Sequence, residues 1–70
     1  MTGSERLELH KQGITILRAQ WDHRKYDWKI VKYNGKGWCR FGSGWYATRE
    51  MCNDQIKMIC ESDKTYRHDE

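Results

Sequence analysis

The chain has no proline, one phenylalanine and only three cysteines. It has no apolar run of membrane-spanning length, and its first ten residues, MTGSERLELH, contain no signal-peptide core. A cytoplasmic protein with no membrane partner is therefore expected. Cys39, Cys52 and Cys60 are odd in number and lack Cys-x-x-Cys spacing, which argues against a disulfide framework. They form no familiar zinc spacing with His10, His23 or His68 either. Reduced thiols packed as small hydrophobes are expected, with no metal and no cofactor. Repeats and low-complexity tracts are also missing. With proline absent, the breaks between elements fall to glycine, asparagine and aspartate.

What is present is aromatic and basic. Seventy residues make one small domain, near the lower limit for a self-sufficient core. Only 37% of them are apolar, but four Trp and four Tyr bury much area per residue, so a compact core is feasible. The charge is unevenly placed. Residues 11–40 carry eight Lys and Arg against two Asp, whereas residues 41–70 carry four against six acids. A basic middle flanked by near-neutral and acidic ends points to an anionic partner.

The pattern predicts an α+β fold, a three-stranded antiparallel β-β-β-α meander covered on one face by a C-terminal helix. Residues 1–12 read as a polar N-terminal arm with room for one helical turn around Leu7 and Leu9, 13–63 as the domain, and 64–70 as a charged tail. Strands are expected at 14–21, 26–33 and 37–41, with turns at DHRK and at Asn34-Gly35. Gly42 to Gly44 break the sheet, and Thr48 can cap a helix over 49–62 with Glu50 in its positive first turn. At helical spacing Cys52, Ile56 and Ile59 form its inner side. Glu50, Asp54, Lys57 and Glu61 fall opposite, an acid-biased stripe that repels phosphates. A two-residue turn at Asn34-Gly35 places Val31 opposite Trp38 and Lys29 opposite Arg40. The DHRK turn places Leu17 opposite Ile30. Because side chains alternate with period two, Leu17, Ala19, Trp21, Tyr26, Trp28, Ile30, Cys39 and Phe41 belong under the helix.

The other face carries the functional expectation. It holds a row of Arg18, Lys29 and Arg40 beside a strip of Ile16, Val31 and Trp38, followed by Tyr33 and Lys36. Three adjacent cations repel one another, and an apolar strip of that size needs a cover. The leading reading is a small non-enzymatic nucleic-acid-binding accessory protein, DNA before RNA. Its cations would meet phosphates and its aromatics would stack. The alternative is a protein-interaction module using the same face: a homodimer, or a phage-type inhibitor of a bacterial protein with an acidic surface. Catalysis has little behind it. His23 sits in a turn between Asp22 and Arg24, and His10 and His68 lie near the ends, none set against a predicted nucleophile.

The stretch DWKIVKYNGKGWCRFGSGWYATREMCNDQIKMI, about half the chain, resembles the small bacterial YegP-like family. There a strand, an Asn-Gly turn, another strand and a Tyr-Ala-Thr step lead into a helix, matched here by Asn34-Gly35 and Tyr46-Ala47-Thr48. That resemblance implies the fold and a pairing of two such units. The order of elements is also similar to the three-stranded-sheet DNA-binding domains of phage integrases and of plant ethylene-response factors. It implies a sheet docked in the major groove through Arg, Lys and Trp, with Arg18, Lys29, Arg40 and Trp38 at compatible positions, and suits a phage or mobile-element accessory protein.

Overall fold

A computed structural model describes residues 1–69. Helix α1 (Gly3–Lys11) leads into strands β1 (Thr15–Asp22), β2 (Asp27–Tyr33) and β3 (Trp38–Arg40), then helix α2 (Arg49–Ser62) and strand β4 (Tyr66–His68). The sheet has four strands rather than three, in the order β3-β2-β1-β4. The first three form the antiparallel meander, and β4 lies parallel to β1 on its far side. The segment expected as a charged tail thus supplies an edge strand.

Both hairpins turn over four residues, 23–26 and 34–37; the first turn is displaced by one residue from DHRK and the second is two residues wider than expected, so each register moves by two positions. Leu17 faces Lys32 and Ala19 faces Ile30 in the first hairpin. Val31 faces Arg40 and Tyr33 faces Trp38 in the second. The reason is local hydrogen bonding. Asp22 Oδ1 accepts the N–H groups of Arg24 and Lys25, and Asn34 Oδ1 accepts those of Lys36 and Gly37. The Asn34 carboxamide thus organises a four-residue loop in place of a two-residue turn, while the Asp22 carboxylate displaces the first four-residue turn by one residue, from 22–25 to 23–26, so that Tyr26 lies exposed in the turn and not in β2 under the helix. Gly35 has φ of 95°, so the backbone there favours glycine, and a Cβ would sit 3.1 Å from His10 Nε2 and push that ring aside. A shift of two preserves the faces.

α2 begins at the expected place. The Thr48 hydroxyl accepts the Met51 N–H at 3.1 Å, closing the first turn. Its inner side buries Cys52 and Ile56 against Leu17 and Ile30, with Trp28, Phe41, Tyr46, Ile59 and Tyr66 packed around them. The opposite face of the sheet has a smaller core. Ile16 and Val31 are each 1% exposed, although both point away from α2. α1 covers them. It is capped by Thr2, whose Oγ1 accepts the Glu5 N–H at 3.2 Å. It is held to the sheet by His10 edge-on to Tyr33 and by Arg6 5.3 Å from the centre of the Trp38 ring. Arg6 also pairs with Asp69, which lies just after β4 and is 8% exposed.

Candidate nucleic-acid interface

α1 divides the outer face into two halves. It takes the half bearing Ile16, Tyr33 and Trp38, and so supplies from within the chain the cover expected of a partner. Ile16 and Val31 are core residues, not an exposed apolar strip; this corrects their expected place at a docking surface. Tyr33 is half-buried, and its hydroxyl donates to the Gly35 carbonyl at 3.0 Å. Lys36 stays exposed in the β2–β3 turn.

The other half keeps the cations. The row across the sheet is Arg18, Val31, Arg40; Lys29 lies one pleat further along, beside Gln20. Arg18 and Arg40 are thus two strand spacings apart, about 10 Å, with a buried valine between them. Lys29 is the least available of the three, since its Nζ pairs with Asp22 Oδ2 at 3.1 Å.

The two arginines are held differently. The Arg18 guanidinium lies 4.1 Å from the centre of the Trp38 ring, and that of Arg40 lies 4.0 Å from the Trp45 ring. Arg40 also donates to the carbonyls of Gly42 and Gly44 at 3.1 and 3.2 Å. Neither makes an ion pair among the described residues. A guanidinium stacked on an indole keeps in-plane N–H donors for an anion, and has already lost much of the rotamer freedom that binding would otherwise cost. Trp38 and Trp45 therefore act as seats for arginine more than as free stacking platforms.

Trp45 and Arg6 did not stand out in the sequence. Trp45 follows the Gly42 to Gly44 break, which marks only the end of a strand. The signal for α1 was the Thr2-Gly-Ser-Glu5 stretch, a capping-box spacing ahead of the segment that becomes α1.

Cys52 and Cys60 offer little reactivity. Burial pushes the Cys52 thiol up, and does the same for Cys60 against the opposing pull of Arg67. Among the described residues no three His, Cys, Asp or Glu side chains converge as a metal-binding group, and no helix is long and apolar enough to cross a membrane. Comparison with protein-family models, with curated proteins and with solved structures gives no match.

Proposed function

We propose that the protein is a non-enzymatic nucleic-acid-binding module, for DNA in preference to RNA, acting through the half of the outer sheet face that α1 leaves open. The observation that supports this reading is the pair Arg18 and Arg40, each seated on a tryptophan and without a carboxylate partner among the described residues. Both guanidinium groups are pre-oriented, and Lys29 lies between their strands on the same face. Releasing Lys29 from Asp22 for a phosphate would add a third contact. The acidic stripe of Glu50, Asp54 and Glu61 lies on α2, behind the sheet, and takes no part.

Three phosphate contacts give a slope of log affinity against log salt of about −2.7. Raising salt from about 50 to 200 mM should then weaken binding about fortyfold. Fluorescence anisotropy with labelled duplex and single-stranded oligonucleotides measures this. Removing Arg18 or Arg40 should lower the slope by about one unit each and weaken all sequences alike. Glu50→Gln should change little. An Arg18→Ala/Lys29→Ala/Arg40→Ala protein that binds as the wild type does, or a wild type that binds nothing at low salt, would overturn the reading.

A further inference from the structure

One edge of the sheet is only half occupied. β4 runs beside β1 along residues 15–17 and ends with the Asp69 N–H donating to the Leu17 carbonyl at 2.9 Å. At the start of that pairing the Thr15 N–H donates to the Thr65 carbonyl at 2.8 Å. Main-chain N–H and C=O groups alternate in direction along a strand, so the odd residues of β1 face this edge. The other side of the sheet gives the same parity. Trp28 and Ile30 bond outward to Tyr46 and Phe41, leaving Lys29 and Val31 turned toward Gln20 and Arg18. The main-chain groups of Ala19 and Trp21 therefore point to an edge with no strand on it among the described residues.

A cleft of about 440 Å³ runs along this stretch. Arg18 and Arg49 flank it, and Trp21 and Trp28 form an apolar wall. Trp21 stands edge-on to Trp28 with ring centres 5.6 Å apart, and remains 44% exposed. Arg49 lies 6.0 Å from the Trp28 ring. The one carboxylate lining the cleft, Asp69, is already taken by Arg6 at 2.9 Å. The cleft thus combines unpaired strand donors and acceptors with an excess of positive charge. An open edge of this kind is a template for another strand.

We propose that the β1 edge takes an extended acidic peptide of a partner protein as a fifth strand, bonded to Ala19 and Trp21 in line with β4. Main-chain hydrogen bonds supply the affinity and alternate side chains the selectivity. Acidic residues on one side of the added strand meet Arg18, those on the other meet Arg49, and an apolar residue rests on the Trp21–Trp28 wall. A second copy of this chain fits less well. Three open residues bury far less than the roughly 1,200 Å² of a stable protein interface.

The test is titration of isotope-labelled protein with the heptapeptide Glu-Glu-Glu-Val-Glu-Glu-Glu, which carries acids on both faces of a strand around one apolar residue, and with its Lys-for-Glu counterpart. The acidic peptide should bind saturably and protect the Ala19 and Trp21 amides from exchange; the lysine peptide should not. Arg49→Glu should weaken binding at least about tenfold with the fold intact, because an acid suits the first turn of α2. Ala19→Pro removes an outward N–H at a position where an edge strand tolerates proline, and should abolish binding. Arg40→Ala should leave peptide binding unchanged while lowering oligonucleotide binding, which separates this site from the sheet face. The proposal is overturned by absence of binding at millimolar peptide, by equal binding of the lysine peptide, or by concentration-dependent protection of the same amides without peptide.

Discussion

Asp22 uses its two oxygens for different purposes. Oδ1 accepts the N–H groups of Arg24 at 2.9 Å and Lys25 at 3.0 Å, which shapes the turn, while Oδ2 holds Lys29. The Lys25 amide first, and the Lys29 ammonium next, lower the carboxyl from 3.8 to about 2. A depressed carboxyl contributes stability that is present above its unfolded value and is lost as pH falls through its folded one. The hairpin should therefore hold at pH 4 and loosen near pH 2, and a carboxyl-carbon NMR titration of Asp22 should show its midpoint near 2. A midpoint near 4 would mean that these bonds do not persist in solution. Ile16 makes a second test at this scale. It is buried to the same degree as residues of the α2-side core, so Ile16→Ala should cost about 2–4 kcal/mol, as should Ile30→Ala. Urea unfolding measures both. A cost under about 0.5 kcal/mol for Ile16→Ala would put that residue at the surface.

Among the elements, α1 depends most on single contacts. Leu7 is exposed and Leu9 only half-buried, so its attachment rests on Arg6 and His10 as much as on apolar area. Arg6 reaches Asp69 with Nε at 3.0 Å and lies over both Tyr33 and Trp38. Among the described residues, Arg6→Ala would leave the largely buried Asp69 carboxylate with only the N-terminal amine at 3.6 Å. We expect a loss of about 1.5–3 kcal/mol and faster amide exchange throughout residues 3–11. Unchanged exchange would show that α1 is held by other contacts. α2 behaves differently. Its cap at Thr48 and the spacing of Cys52 and Ile56 are both sequence signals, and its bounds agree with them. In α1 a cap was present without an apolar stripe, and a cap alone does not distinguish a helix from a turn.

The whole molecule is tied together through β4. Tyr66 packs edge-on to Phe41 in the α2-side core, and Asp69, one residue beyond the strand, anchors α1 on the other side. A chain ending at Asp63 would lose both attachments at once. It should unfold without a cooperative transition, with near-UV circular dichroism largely lost, because a domain of this size has little stability to spare. An unchanged denaturation midpoint would show that the meander and α2 suffice by themselves.

Period-two alternation and helical spacing are properties of local sequence, so the α+β class, α2 and the allocation of Leu17, Ile30, Val31 and Arg18 to their faces follow from the residues alone. A two-residue shift of register leaves those faces unchanged, and for that reason the displaced first turn and the wider second turn altered partners without moving the α2-side core. Tertiary structure decided the rest. β4 is a three-residue polar segment whose strand character comes from hydrogen bonds to the edge of β1, not from its own propensity. The cover on Ile16 and Val31 comes from a helix whose contacts are a guanidinium, an imidazole and a carboxylate from the far end of the chain. Such contacts have no period to read in a sequence. They exist only once folding has brought Arg6, Tyr33 and Asp69 together, and they leave Arg18 and Arg40 on the open half of the sheet.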